Sequence, residues 1–210
     1  MLGISLLFVG IVLVHNGILF MSKVKRDKVL DDGTTTTELV PLVVASPKSI
    51  AFFNAIVGGL LFIGNIIMLA HSRQEIAEGP FSRYMVFNNI AAGFLFGVTY
   101  LFLAGNLLFK LDMRPFGIFS GGVVIFSAVM SVYNFINFAD VGLTYGYPML
   151  MLGILWIIWG YLWLTGTLQF NFKVKAMEKI FPWSSIIVGV ISAFVPAIML
   201  LLGLYPFSFL

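Results

Sequence analysis

The sequence predicts an all-α membrane protein that crosses the bilayer six times. Of its 210 residues, 60% are hydrophobic and only 10% are charged, whereas soluble domains carry about 25% charged residues. Six apolar stretches each reach about 20 residues, the length that a helix needs to span a bilayer core about 30 Å thick. In lipid the backbone must be hydrogen-bonded within the chain, and these stretches do not alternate with period two, so they favour helices.

The six predicted spans occupy nearly the whole chain and leave no room for a separate soluble domain. We therefore interpret residues 1–210 as one six-helix transmembrane domain, in which residues 23–48 form a long connection between the first two helices. The predicted spans are residues 2–21, 49–70, 84–109, 116–138, 148–170 and 183–204.

The distribution of lysine and arginine predicts the orientation of these helices. Ten of them fall in the first, third and fifth connections and two in the second, and basic residues collect on the cytoplasmic side. We expect both termini outside and the connection 23–48 inside, as a partly ordered loop or as a lid over the mouth of a pathway. Because the orientation of the helices in the membrane already accounts for the basic residues, no nucleic-acid partner is expected.

Three connections begin alike, at residues 22–24, 109–111 and 172–174, each with a lysine in second place. All three follow odd-numbered spans, and the even-numbered spans after them also look alike near their starts. The pattern predicts three helical hairpins in one orientation, related by an axis along the membrane normal. Such an arrangement leaves a pathway through the middle of one protomer.

The middle of every predicted span lacks Asp, Glu, Lys and Arg. Ion-coupled transporters and proton pumps depend on ionisable groups at that depth. The chain also has no cysteine, and its two histidines, His15 and His71, lie on different helices. We therefore expect no metal site, no cofactor and no catalytic residues, which disfavours an enzyme. A pathway of this kind suits an uncharged solute that moves passively.

One face of the first helix is a candidate lining for such a pathway. Leu2, Leu6, Val9, Leu13 and Asn16 recur at steps of three and four, which puts them on the same side of a helix. Small residues that recur every seven positions on another face would let a neighbouring helix approach closely: Gly3, Gly10 and Gly17.

Aromatic residues form a second candidate lining. Trp159 and Trp163 share a stripe of the fifth helix with Trp156, and Phe96 and Tyr100 are an i, i+4 pair on the third. The stripe is either ordinary packing or an aromatic slot, in which flat rings accept the face of a planar amide while N–H and O–H groups bond its edges. Spacing alone leaves both interpretations open.

Short segments spread along the chain resemble those of a known family, the AmiS/UreI family of bacterial urea channels and short-chain amide transporters. The resemblance implies a passive inner-membrane channel for urea or short-chain amides such as acetamide, with one pore in each protomer of a ring-shaped homohexamer. The matching segments are residues 1–13, 16–17, 54–59, 95–101, 159–164, 182–183 and 192–197.

By position, the resemblance also implies roles for individual residues. It implies two constrictions and one polar pore residue. The inner constriction would consist of Trp159, Trp163, Phe96 and Tyr100, the outer one of Val9, Leu13 and Leu6, and the polar pore residue would be Asn16.

Two departures from the family pattern bear on selectivity and gating. Where the resemblance places a buried Glu of the urea channels, paired with the first-helix Asn, this chain has Val188. The amide branch of the family also lacks that acid, so selectivity could lean toward amides. The fourth connection offers only Asp140 and no histidine, so we expect no strong acid gating. The alternative function is a non-transport assembly or signalling subunit in which the aromatic stripe is only packing.

Overall fold

The computed structural model describes residues 2–21, 24–29, 33–40, 46–139 and 142–204. Within these residues six helical segments are long and apolar enough to cross a membrane, so the predicted six-helix fold is confirmed. The helices are α1 (Leu2–Phe20), α2 (Pro47–His71), α3 (Arg73–Glu78), α4 (Pro80–Phe109), α5 (Arg114–Asn137), α6 (Gly142–Phe170), α7 (Met177–Val188) and α8 (Val195–Leu201). The sixth spanning segment, Met177–Leu201, consists of α7, a π-helix at Gly189–Phe194 and α8.

Local signals determine where several of these helices begin and end. At the start of α2, the Ser46 hydroxyl caps the helix by accepting a hydrogen bond from the Ser49 N–H at 3.1 Å. Lys110 ends α4 and Lys173 closely follows α6, and both have left-handed backbone, with φ of 53° and 51°. The sequence repeat therefore makes the same turn in the third and fifth connections. Its third lysine, Lys23, lies outside the described residues.

The first connection contains a small antiparallel β-hairpin that the sequence analysis does not predict. β1 (Val24–Val29) pairs with β2 (Thr35–Val40). Valine and threonine favour strands, and Gly33 adopts the positive φ of 79° that a tight turn between them requires. The hairpin occupies part of the connection 23–48, whose residues 41–45 lie outside the described part of the chain. The lid hypothesis stays a prediction.

The six spans close into a ring in which each hairpin packs against the next. The most extensive contacts join α2 to α4, α5 to α6, and α1 to the α7–α8 span. A Cβ atom added at Gly10 would lie 2.7 Å from the backbone nitrogen of Phe194, and one at Gly58 would lie 2.9 Å from the Gly97 carbonyl oxygen. The predicted close approach along the glycine face of the first helix is confirmed.

The two ends of the ring differ in charge. We call the end at which α1, α4 and α6 finish the basic end, because exposed basic side chains follow there in the third and fifth connections. The opposite end is called the distal end. The basic side chains concerned are Lys110, Arg114, Lys173, Lys175 and Lys179.

Candidate functional site

The interior of the ring holds a basic-end cavity and a distal cavity, and α1, α4 and α6 contribute most of their lining. The water-accessible volume is about 40 Å³ in the basic-end cavity and about 30 Å³ in the distal cavity. One water molecule needs roughly 10–15 Å³ of such volume. Each cavity therefore has room for a few waters or one small solute. The basic-end cavity is lined by Leu13, Asn16, Phe20, Phe96, Thr99, Tyr100, Leu103, Phe116, Ser120, Leu162, Trp163, Gly166, Phe170, Phe181 and Ser185. The distal cavity is lined by Ser5, Leu6, Val9, Leu61, Asn89, Ala92, Gly93, Phe96, Leu152, Leu155 and Trp159.

Phe96 lines both cavities and therefore lies where they meet. Its ring centroid is 4.8 Å from that of Trp163 and 5.3 Å from that of Trp159, whose ring it meets edge to face. The Tyr100 ring stacks 6.2 Å away on the basic-end side. The structure thus brings together the four aromatic residues of the implied inner constriction. We call this group the aromatic junction.

Every indole N–H of the α6 stripe is already hydrogen-bonded within the protein. Trp163 donates to the Thr99 hydroxyl at 3.2 Å, and Trp159 donates to the Ser192 hydroxyl at 3.0 Å. Both hydroxyls in turn donate to backbone carbonyls, those of Leu95 and Val188. These bonds fix the orientation of the rings and occupy their N–H groups. A solute can therefore meet the faces of the indoles, but the indole N–H groups are not free to bond its edges as the slot interpretation expects.

The third tryptophan of the stripe is a structural tie rather than a lining residue. Trp156 is fully buried and donates to the Asn88 side-chain oxygen at 2.9 Å. It holds α6 to α4, two helices that otherwise make few backbone contacts across the interior of the ring. This bond helps to set the width of the space between them.

The Tyr100 hydroxyl differs from the indoles because it has no hydrogen-bond partner among the described residues. The side chain is 1% exposed and lines the basic-end cavity. Buried polar groups in folded proteins are nearly always hydrogen-bonded, so an unpaired one at a cavity indicates a place for a polar guest. The hydroxyl can both donate and accept, which suits a solute that carries C=O and N–H groups.

Asn16 on α1 forms a reciprocal amide pair with Asn54 on α2. Each side-chain nitrogen donates to the other side-chain oxygen, at 2.8 and 2.9 Å. Asn54 also donates to the Ile50 carbonyl and is fully buried. Asn16 lines the basic-end cavity, so this pair gives the cavity a neutral polar wall.

The aliphatic residues expected on one face of α1 are divided between the two cavities. Leu6 and Val9 line the distal cavity, whereas Leu13 lines the basic-end cavity. Val188 is 5% exposed within the same buried cluster, but it is not among the described residues that line either cavity. The structure does not describe the side chain of Leu2.

Sequence reasoning missed the residues that orient the indoles, namely Thr99, Ser192 and Asn88. They lie 64, 33 and 68 positions from their tryptophans, and no local spacing links residues so far apart on different helices. Helical spacing could have identified the lining residues Leu155 and Leu162, because they flank Trp159 at i−4 and i+3 on the same face of α6.

The third connection, at the basic end, carries an ion pair between Asp112 and Arg114. In the third connection Asp112 accepts hydrogen bonds from the Arg114 backbone N–H at 2.9 Å and from its guanidinium at 2.8 Å. The backbone N–H and then the nearby positive charges hold the pKa of Asp112 below its usual value. No charged side chain lines either cavity in the described part of the chain, and its residues contain no group of three or more acids and histidines able to hold a metal.

The family model of AmiS/UreI family transporters matches residues 35–204. The chain belongs to the AmiS/UreI family. The resemblance inferred from the sequence is therefore confirmed, and the protein is a multi-pass membrane member of a transporter family.

Similar proteins are known within this family. The acid-activated urea channel of Helicobacter pylori is 35% identical, over 94% of this chain and 95% of that protein. A Mycolicibacterium smegmatis protein, described as a candidate transporter of amidate substrates, is 26% identical over 96% of this chain and 76% of its own length. The cryo-EM structure of the H. pylori urea channel in its closed state superposes with a TM-score of 0.71 at 33% identity, covering 96% and 98% of the two chains.

Proposed function

We propose that this protein is a passive channel for small uncharged amides, either urea or short-chain aliphatic amides such as acetamide. The observation that carries the proposal is the basic-end cavity, in which aromatic faces and the unpaired Tyr100 hydroxyl lie together. The solutes that the descriptions of the H. pylori and M. smegmatis relatives imply, urea and amidate compounds, support the same class.

The chemistry of the aromatic junction fits a planar amide. Urea and acetamide are flat molecules with one carbonyl acceptor and N–H donors at their edges. The Trp163 and Phe96 rings, tilted by 37° to each other, offer flat surfaces to such a molecule, while the Tyr100 hydroxyl can bond its carbonyl oxygen or an N–H group. Because the indoles are already bonded, the solute gains one specific hydrogen bond and is not held tightly.

Ions are excluded by the same lining. An ion that enters a narrow apolar passage loses water without gaining an opposite charge, which costs several kcal/mol or more. Leu6 and Val9 belong to a distal lining that is mostly aliphatic and whose polar residues, Ser5 and Asn89, are neutral. The basic-end cavity likewise has only neutral polar groups. An uncharged amide avoids this penalty, so selection needs neither a moving part nor an ion gradient.

We assign the predicted site residues to this pathway as follows. The aromatic junction of Trp159, Trp163, Phe96 and Tyr100 is the inner constriction, and Leu6 and Val9 form the outer one. Leu13 lies just beyond the junction and Asn16 provides a polar wall. Val188 is a neutral side chain of the surrounding buried cluster rather than of the described cavity lining, and Asn54 pairs with Asn16 in place of an acid.

The remaining features of the proposal concern assembly and orientation. Residues 1–210 form one channel domain in the bacterial inner membrane, with both termini outside. The basic end faces the cytoplasm, and residues 23–48 form a cytoplasmic connection. The protein works as a homohexamer with one pore in each protomer, without a cofactor, a metal or an enzymatic reaction.

The test is stopped-flow swelling of proteoliposomes in gradients of urea, acetamide and glycerol. We expect urea or acetamide to enter far faster than in empty vesicles, and glycerol to enter more slowly. Trp163→Leu should lower the permeability ratio of the preferred amide to glycerol by about tenfold or more, since discrimination in a fitted apolar site is of that size. The matched control is Trp183→Leu, because Trp183 is 56% exposed on α7.

Two results would contradict the proposal. Permeability no greater than that of empty vesicles, for protein that elutes as one sharp species, would favour the rival function of an assembly or signalling subunit. Equal effects of Trp163→Leu and Trp183→Leu on the solute ratio would remove the aromatic junction from the mechanism.

A further inference from the structure

A second group of aromatic side chains lines the basic-end cavity, outside the residues that sequence reasoning selects. Phe20 is the last residue of α1 and Phe170 the last of α6, while Phe116 and Phe181 lie in the first two turns of α5 and α7. All four line the cavity. The ends of α1 and α6 and the starts of α5 and α7 all lie at the basic end of the ring. The four side chains therefore lie together at the basic-end mouth of the cavity.

The four rings form a continuous arc. Ring centroids are 6.1 Å apart between Phe20 and Phe181, 5.6 Å between Phe181 and Phe170, and 5.6 Å between Phe170 and Phe116. The last two contacts are edge to face, a favourable geometry for aromatic pairs. We call these four residues the phenylalanine arc.

The arc is separated from the aromatic junction by the length of the cavity. Along α1, Leu13 near the junction and Phe20 in the arc are seven residues apart, or about 10 Å at 1.5 Å per residue. Along α6, Leu162 and Phe170 are eight residues apart, or about 12 Å. A small amide is shorter than this, so it meets the junction and the arc one after the other. Beside the Tyr100 hydroxyl of the junction, the same cavity offers it the Asn16 amide.

The arc differs in chemistry from the junction. Its side chains are phenyl rings, so it offers an amide head group no hydrogen bond and can distinguish solutes only by their apolar part and their width. Phe116 is held on its other side by a stacked Phe102 ring at 5.8 Å, which gives that end of the arc a fixed wall. An arc of this kind passes a narrow alkyl group and rejects a broad one.

We propose that the phenylalanine arc is a second selectivity constriction, which sorts amides by the width of their alkyl group after the junction has selected the amide group. This inference rests on the proposed amide channel. It assigns Phe20, Phe116, Phe170 and Phe181 a role in specificity that the aromatic junction does not supply.

The experiment compares acetamide with isobutyramide, which has the same amide group and a branched alkyl group, in proteoliposome swelling. Wild type should pass acetamide and largely exclude isobutyramide. Phe170→Ala removes a ring from the middle of the arc and should raise the isobutyramide-to-acetamide permeability ratio by about tenfold or more, the size of methylene-scale discrimination in apolar sites. Phe181→Ala should act in the same direction.

The matched control is Phe119→Ala. Phe119 stacks on Phe102 at 6.2 Å and meets Phe116 at 6.5 Å with the rings tilted. It is not among the described residues that line the cavity, so its loss should leave the ratio unchanged. Phe20→Trp, which adds bulk at the end of α1, should lower acetamide entry itself. This variant also provides a test if the alanine variants do not elute as single species.

The outcomes separate this inference from the function on which it rests. If wild-type vesicles take up acetamide and the ratio is the same in wild type, Phe170→Ala and Phe181→Ala, the arc proposal fails and the channel stands. A ratio that rises equally in Phe119→Ala, or unhindered isobutyramide entry in wild type, also overturns the arc. No acetamide or urea uptake by wild type overturns both.

Discussion

The two cavities are lined mainly by the same three helices, α1, α4 and α6, but have different chemistry. The distal cavity is mostly aliphatic, with Leu6, Val9 and Leu61 among its lining, whereas the basic-end cavity combines aromatic faces with the Tyr100 hydroxyl and the Asn16 amide. An apolar passage discriminates mainly by the cost of losing water. A passage with a free hydrogen-bonding group can also recognise a functional group. In the proposed channel, the distal cavity therefore discriminates only by the cost of losing water, whereas the amide group is recognised in the basic-end cavity.

The largest expected effect comes from displacing α1, the helix whose one face serves both cavities. Gly10→Ala should lower the free energy of unfolding by about 1–3 kcal/mol, the usual cost of overpacking, because the new Cβ would lie 2.7–2.8 Å from backbone and Cβ atoms of Phe194. Thermal denaturation in detergent measures this change, and uptake of every solute should fall with it.

Gly105→Ala is the control for that substitution. Nothing lies within 4 Å of a Cβ at Gly105, so the change should be neutral or stabilise by about 0.5–1 kcal/mol, as alanine does over glycine in a helix. If both variants had the same midpoint as wild type, the close contact of α1 with the α7–α8 span would not be needed to keep the cavities in place.

The next prediction compares the two cavities by removing the hydrogen-bond acceptor of one indole N–H in each. Thr99→Val removes the acceptor of the Trp163 N–H, and Ser192→Ala removes that of the Trp159 N–H. Each leaves a buried donor unpaired and should cost about 1–3 kcal/mol of stability. Only Thr99→Val should alter the urea-to-acetamide ratio, since Trp163 lines the basic-end cavity. Equal changes of that ratio in both variants would show that the distal cavity also discriminates between amides.

A smaller effect is expected from the removal of single tyrosine hydroxyl groups. One variant should change amide permeability without lowering stability, and the other should do the reverse. Tyr100→Phe removes an unpaired hydroxyl, so stability should not fall, while amide permeability should fall about 2- to 10-fold for a lost hydrogen bond of about 0.5–1.5 kcal/mol. Tyr161→Phe removes a hydroxyl bonded to Ser184 at 3.0 Å, away from the described lining. It should lower stability by a similar amount and leave the flux unchanged. The reverse pattern would remove Tyr100 from solute recognition.

The smallest effect is expected from pH. Histidine ordinarily changes charge between pH 5 and 8, but His15 and His71 do not line either cavity in the described part of the chain. Asp112 has a lowered pKa, so its interactions persist at mildly acidic pH and are lost only as the pH falls through that lowered value. Amide uptake should therefore be similar at pH 5 and pH 7.5. A many-fold rise at pH 5 would indicate acid gating, as the name of the H. pylori channel describes for that protein.

The parts of the fold that could be predicted depend on local composition and periodicity. Six apolar stretches of spanning length predict six helices whatever their packing, and the steps between Leu6, Val9, Leu13 and Asn16 are enough to put them on one face. The structure agrees, although that face passes from one cavity to the other between Val9 and Leu13. The repeated lysines at 110 and 173 predict hairpins in one orientation, and the structure adds that both residues adopt the same left-handed backbone.

Features that depend on distant residues could not be predicted in the same way. The tryptophan stripe on α6 is visible in the sequence, but its N–H acceptors lie on α4 and in the π-helix, and only the packed ring brings them within hydrogen-bonding distance. The phenylalanine arc likewise combines single residues from four helices, none of which stands out in its own segment. The β-hairpin was missed because a charged, threonine-rich connection was interpreted as loop.

The most direct test of the central claim is amide uptake by wild-type proteoliposomes with sodium and proton gradients either imposed or abolished by ionophores. A passive channel without charged lining predicts that acetamide or urea enters at the same rate in both conditions and follows its own gradient in either direction. Uptake that requires an ion gradient, or accumulation of the solute above its outside concentration, would contradict the account.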